Sequence, residues 1–444
     1  MNNQQQHYFF DLADYITGQL KGDEVYTCWL SGEESDFVRI NKGKVRQPGH
    51  VKQCTLSLDL IFGQKHAKGS LRLSGEKSID QKRLSTLILG LRNKLPYLPD
   101  DPHLLYSKSI NNTETQKPNA LPPPQQAIED IVSQGENLDM VGIFAQGNLH
   151  RGFANSLGQR NWYSSSNFNF DWSFFSHGDK AVKCSYAGLE WSKEALTRKF
   201  DDAKKQLPII SRDAKTISPG KYKVYLAPAA VHEIMNLLCW NSFSRKAQET
   251  RQSPLLKLID NKESLHPEIN VFEDTASGIG PNFEASGFLK KPSVPLIKGG
   301  KFQQALTSPR SSKEYGGEPD GSNTSESPES LHFDAGTLKQ DSILEQIGRG
   351  LFISNLWYLN FSDAMSCRMT GMTRFATFWV EDSQIVAPLN VMRFDESIYR
   401  AFGSNLVGLT QEQEFMFDTG TYFERSCSSA KVPGALIEDF CFTL

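Results

Sequence analysis

Val25-Tyr-Thr-Cys-Trp-Leu30, Phe37-Val-Arg-Ile40 and Thr55-Leu-Ser-Leu-Asp-Leu-Ile61 decide the fold class. In each run apolar residues alternate with polar ones, and Gly and Asn signals separate the runs, which is the pattern of half-buried antiparallel strands. On the N-terminal side, Phe9, Phe10, Leu12, Ala13, Ile16 and Leu20 recur at helical spacing until Lys21-Gly-Asp breaks the pattern. On the C-terminal side, Ile79 to Leu95 returns to the helical period. The spacing therefore predicts helices laid on an antiparallel sheet.

Further out, the polar, Pro-rich stretch from Ser109 to Pro124 has the composition of a linker, and a first subdomain is expected to end there. A short helix is predicted over 125–135. Residues 139–191 then read as a β-meander with turns at Gly147-Asn148, Ser156-Leu-Gly158 and His177-Gly-Asp179. Within it Phe168, Phe170, Trp172 and Phe174 alternate with polar residues, giving one aromatic strand face that is either core or a substrate platform. Ser192 caps a charged amphipathic helix to Leu207. A new unit opens near Ile217-Ser-Pro-Gly220, with a strand over 221–226, a helix over 227–243 and mostly short strands beyond. Between Thr307 and Gly336 the chain is rich in Ser, Pro, Gly and Glu, which predicts a long mobile loop. The fold class is α+β: an N-terminal region, 1–210, of helices on antiparallel sheet, and a β-rich C-terminal domain, 215–444.

The 444 residues carry 48 Lys+Arg against 51 Asp+Glu, a formal charge of −3, which argues against a nucleic-acid-binding surface as the main business of the chain. No apolar run approaches the ~18 residues of a membrane span, and the N-terminal residues lack the pattern of a secretory signal, so a cytoplasmic protein is expected. Seven scattered cysteines without a Cys-x-x-Cys pair predict reduced thiols.

One dipeptide carries mechanistic content. His232-Glu233, on the predicted 227–243 helix, has the residue types of a zinc ligand and a general base. A second ligand is missing nearby, since position i+4 is Asn236 and i+5 is Leu237. Cys239 returns to the same face but roughly 10 Å further along the axis. Val231, Ile234, Met235 and Leu238 form an apolar stripe that accounts for the core-facing side without metal. No phosphate loop, dinucleotide fingerprint or Gly-x-Ser-x-Gly elbow occurs, and Cys427 has no evident base partner.

Several longer strings carry a resemblance. Ser218-Pro-Gly-Lys-Tyr-Lys-Val-Tyr-Leu-Ala-Pro-Ala-Ala230, Gly350-Leu-Phe-Ile-Ser354 and Cys427-Ser-Ser-Ala-Lys-Val-Pro433 stand in the order of the TldD/PmbA family, as does Ala154-Asn-Ser-Leu-Gly158. The most specific string runs from Thr370-Gly through Glu381-Asp382 to Pro388. The chain thus resembles a family whose members are called modulators of DNA gyrase and are classed as zinc metallopeptidases. The resemblance implies one of two kinds of subunit. TldD-like chains carry His-Glu-x-x-x-His with a C-terminal cysteine ligand; PmbA-like (TldE) chains share the fold without the metal site and pair with them to cleave unfolded peptides inside a closed cavity. Here His232-Glu233 matches the first half of the motif and Leu237 stands where the second His belongs. Positions five apart also lie about 140° apart on a regular helix. Cys427, six residues before Pro433, resembles the PmbA-type ending.

The expected protein is therefore a PmbA/TldE-like subunit with a degenerate zinc site, partnered by a TldD-like chain or by a second copy, with unfolded peptide as substrate. In the alternative it is a zinc metallopeptidase in its own right, with His232 and Cys427 as ligands and Glu233 as base. A further alternative is a non-enzymatic peptide-binding or gyrase-regulating protein, which the −3 charge does not favour.

Overall fold

The alternating runs of the N-terminal half join into longer strands than their apolar residues mark. In the computed structural model, which describes residues 2–443, α1 (Asn2–Thr17) leads into β1 (Val25–Asn41), β2 (Lys44–Phe62), β3 (Lys65–Arg72) and α2 (Lys77–Lys94). There follow β4 (Thr113–Gln116), α3 (Pro124–Gln134), β5 (Asp139–Asn155), β6 (Arg160–His177), β7 (Lys180–Gly188) and α4 (Lys193–Ile210). These strands form one sheet in the order β3-β2-β1-β5-β6-β4, with β7 also on β6. Phe9, Leu12 and Ile16 of α1 and Leu84 and Ile88 of α2 bury their apolar faces against Leu30, Leu58 and Trp162 of this sheet. The Ser192 cap forms as expected, its Oγ accepting from the Ala195 N–H at 3.1 Å.

Two expectations for this half are corrected. Gly147-Asn148 is no turn: β5 runs straight through it, with Gly147 opposite Ser35 of β1. A Cβ at Gly147 would lie 2.2 Å from the Glu34 carbonyl oxygen, so this glycine marks a close backbone approach. The Pro-rich crossing at 109–124 ends no subdomain, because it contributes β4, parallel to β6, and β1 pairs with β5 across it.

The C-terminal half begins with β8 (Gly220–Leu226), α5 (Pro228–Leu238), α6 (Arg245–Glu249), α7 (Leu256–Ile259), β9 (Val271–Glu273), β10 (Val294–Lys298), β11 (Lys301–Phe302), α8 (Pro309–Tyr315) and β12 (Ser330–Phe333). It continues with α9 (Ile343–Ile347), β13 (Gly350–Asp363), β14 (Arg368–Glu381), β15 (Gln384–Pro388), β16 (Arg393–Ser397), β17 (Leu406–Phe417) and β18 (Ser429–Phe442). Its 11-stranded sheet follows β11-β10-β9-β12-β18-β16-β14-β13-β8, with β15 on β14 and β17 on β18. Because β8 pairs with both β13 and β18, part of this sheet closes on itself. The helix expected over 227–243 ends earlier, at Leu238, and Asn241 then adopts a left-handed conformation (φ 65°).

The stretch 307–336 differs most from its composition. It contains α8 and β12, and acidic side chains tie its backbone down. Glu326 accepts from the Ser308 N–H (2.8 Å), the Lys246 N–H (2.9 Å) and Ser244 Oγ (2.7 Å), while Asp320 accepts from the Thr307 N–H (3.0 Å). Polar side chains order this segment by satisfying main-chain donors, so low hydrophobicity did not mean a free loop.

The two halves meet through an apolar contact. Ala376 and Phe378 of β14 pack with Phe170, Trp172 and Phe200, so the aromatic face of β6 is core between sheet and helix rather than a substrate platform. No helix among the described residues is long and apolar enough to cross a membrane.

Candidate active site

α5 lies against β13 and β18 and buries Val231, Ile234, Leu237 and Leu238 in the C-terminal core. Its other side, with His232, Glu233 and Asn236, faces a cavity of about 760 Å³ between the two halves. One wall comes from β6, β7 and α4, and the other from α5, β13, β17 and the start of β18.

His232 has no hydrogen-bond partner among the described residues, and burial pushes its pKa down to about 4 against a weaker opposing pull from Asp418. Its imidazole is therefore neutral at pH 7. Glu233 is open to solvent in the cavity but ringed by protein, and this desolvation raises its carboxyl above the usual range; Lys183 opposes the shift and Asp171 adds to it. Asp171 and Lys183 form an ion pair at 3.4 Å, and Lys199 pairs with Glu414 at 3.3 Å on the far side. Burial thus favours the uncharged form of both side chains.

Sequence reasoning found His232 and Glu233 but missed Asp171, Lys183, Lys199, Glu412, Glu414 and Asp418. These residues come from four distant segments, β6, β7, α4 and the end of β17, and no local pattern marks them as neighbours.

The remaining candidate lies elsewhere. Cys427 lines a second cavity, of about 500 Å³, with Arg151, Lys290 and Glu329. Burial raises its thiol pKa even though Arg151 favours the thiolate, so the sulfur is protonated at neutral pH. Cys239, on the wall of the first cavity, is pushed up to about 12 by burial. The residues present do not fit a catalytic zinc. His232 stands without a second imidazole, Leu237 is buried on the core side of α5, and no three His, Cys, Asp or Glu side chains among the described residues gather to hold a metal ion.

The molecule is an α+β protein of two sheets, with a histidine-glutamate pair facing the cavity between them. A family model described as the PmbA/TldA metallopeptidase C-terminal domain matches residues 219–443, from β8 through β18. The chain belongs to the PmbA/TldD metallopeptidase family. Among solved structures it is similar to TldE from Thermococcus kodakarensis, at 13% identity and a TM-score of 0.79 over 98% of this chain and 100% of that one. It is also similar to a candidate modulator of a DNA gyrase from Thermotoga maritima (12% identity, TM-score 0.76, 98% and 100% covered). A candidate modulator of DNA gyrase from Bacteroides thetaiotaomicron (15% identity, TM-score 0.73, 98% of each chain covered) shares the fold as well. No curated protein sequence matches the chain.

Proposed function

We propose that the chain is a PmbA/TldE-like subunit that takes part in the proteolysis of unfolded peptides in the cytoplasm, that it lacks a zinc site of its own, and that it works with a TldD-like chain or a second copy. The observation that carries this reading is the split of α5: His232 and Glu233 face the cavity, whereas Leu237, at the position of the family's second histidine, is buried in the core. Peptide handling is supported by β7. Val182 to Ala187 all line the cavity, which happens when a strand presents its edge rather than one face. Among the described residues β7 pairs only with β6, and the main-chain groups on its other side, which β14 and β17 approach without pairing, are the ones an extended backbone would meet.

The test is purification from zinc-replete cells, alone and together with a TldD-like chain. The expected result is no stoichiometric zinc and no cleavage of an unstructured peptide by the chain alone, with co-elution and cleavage when the partner is present. One zinc per chain, together with solo cleavage that Glu233→Gln abolishes, would instead establish an independent metallopeptidase.

A further inference from the structure

The second cavity, of about 500 Å³, has no part in the reading above and is built differently from the first. Its walls hold two ion pairs largely withdrawn from water, Arg151 with Glu424 at 3.4 Å and Lys290 with Glu329. The Arg151 and Lys290 side chains are only 8% and 7% exposed. Both pairs border one space, because Cys427 lies within electrostatic reach of Arg151, Glu329 and Glu424 together. Two further charged residues of the lining are engaged elsewhere. The Arg425 guanidinium turns to Asn167, Asn169 and Ser35, and Glu284 accepts from the Ser286 and Phe288 N–H groups of its own loop.

Arg151 is the buried group that its surroundings leave short of partners. A guanidinium offers five N–H donors. Among the described residues Arg151 makes one hydrogen bond of ordinary length, to the His150 carbonyl oxygen at 2.9 Å. Its contacts to the Gly32 carbonyl oxygen (3.5 Å) and to Glu424 Oε1 (3.4 Å) are longer than the ~2.7–3.2 Å of a well-formed bond. Glu424 is instead held closely by Ser31 Oγ, at 2.6 and 2.7 Å. On the same lining, Asp418 has no ion-pair partner among the described residues, and its carboxylate accepts from the Gly420 N–H at 2.9 Å. The cavity therefore presents one cation and one anion that each lack a close counter-charge. Beside them stands an aromatic surface, where Trp29 and Phe283 meet edge to face with ring centres 5.6 Å apart.

We infer that the second cavity binds a free α-amino acid with an aromatic side chain, its carboxylate on Arg151, its ammonium on Asp418 and its ring against Trp29 and Phe283. This goes beyond the peptide-handling reading and does not depend on it. A planar carboxylate matches the fork of guanidinium donors and supplies the short bonds that Arg151 lacks. A simple anion would leave Asp418 unanswered and repelled, and a simple cation would meet Arg151 and Lys290, so a ligand bearing both charges suits the lining best. The volume falls within the ~300–1,000 Å³ of small-molecule sites.

The experiment is calorimetric titration of the full-length protein with L-phenylalanine and with three relatives that each lack one feature: L-phenylalaninamide, N-acetyl-L-phenylalanine and L-alanine. The expected result is that L-phenylalanine binds at least ten-fold more tightly than each of the three. Asp418→Asn should weaken L-phenylalanine several-fold and remove its advantage over the N-acetyl compound. Asp418 also lines the first cavity, so Arg151→Lys, which touches only the second, locates the site: it should remove the advantage over the amide. Circular dichroism reports whether each variant is folded, and if Arg151→Lys is not, Phe283→Leu takes its place and should weaken L-phenylalanine several-fold. Absence of L-phenylalanine binding at millimolar concentration would overturn the inference. So would equal affinity for the four compounds, or binding that folded variants at Asp418 and at Arg151 or Phe283 leave unchanged.

Discussion

Replacing Leu237 by His recreates the family's His-Glu-x-x-x-His spacing in letters, and the structure predicts that it does not recreate a zinc site. Leu237 is 2% exposed and packs in the C-terminal core, about 140° around α5 from His232. Losing the buried leucine side chain costs about 2 kcal/mol. The incoming imidazole finds apolar neighbours, and burying its nitrogens without partners costs about 1–3 kcal/mol more. The sum, about 3–5 kcal/mol, is a large share of a typical stability of about 5–15 kcal/mol. At about 2–4 °C per kcal/mol for a domain of this size, the melting temperature should fall by on the order of 10 °C. Thermal unfolding by circular dichroism gives the shift, and metal analysis of zinc-replete protein gives the occupancy. A Leu237→His variant as stable as its parent, or one carrying one zinc per chain, would refute the argument that α5 turns this position away from the cavity.

The remaining predictions address titration and packing. His232 should titrate near pH 4 in a histidine NMR titration, well below the ordinary 6.5, because burial disfavours the imidazolium; a midpoint near 6.5 would mean that the cavity is wetter than its walls imply. Burial raises the Glu273 carboxyl from 4.5 to about 7, so the folded state holds this proton more tightly than the unfolded state does. Its contribution to stability is therefore complete below about pH 4.5 and lost as pH rises through 7. Urea midpoints at pH 5 and 8 should accordingly diverge between wild type and Glu273→Gln, the wild type losing more on the alkaline side; parallel midpoints would contradict the assignment. Gly147→Ala should destabilise the protein by about 1–3 kcal/mol, measured by denaturant unfolding, because its methyl group meets the backbone of Glu34 and Ser35. An unchanged midpoint would mean that β1 and β5 can separate locally without cost.

The parts of the fold that periodicity governs were legible, and those that long-range contact governs were not. The α+β class followed from the alternation over 25–61 because a half-buried strand writes its pattern locally. Gly147 misled because a glycine demanded by a neighbouring backbone looks the same in sequence as a glycine demanded by a turn. The 307–336 stretch misled because its order comes from Glu326 and Asp320 reaching back to main-chain donors, contacts that leave no mark on hydropathy. In the site, His232 and Glu233 were visible as a pair on one helix. Their surroundings were not, since Asp171, Lys183 and Asp418 reach the cavity only once two sheets have formed and docked.

Cys427 shows how such docking decides chemistry. The two cavities share Asp418 and Ser428, so the segment between β17 and β18 forms the wall between them. That segment is clamped to the N-terminal sheet. The Glu424 carboxylate accepts from Ser31 Oγ at 2.6 and 2.7 Å, and the buried Arg425 guanidinium donates to Asn167 Oδ1, Asn169 Oδ1 and Ser35 Oγ. The Arg425 N–H also donates to Glu33 Oε2 at 3.2 Å. Two residues later, the position of Cys427 follows from that clamp rather than from its own rotamer. Moving this segment so that Cys427 enters the cavity of His232 would require releasing hydrogen bonds to charged groups worth about 1.5–3 kcal/mol each, and it would leave a guanidinium buried without partners. The clamp therefore keeps Cys427 and His232 on the walls of separate cavities.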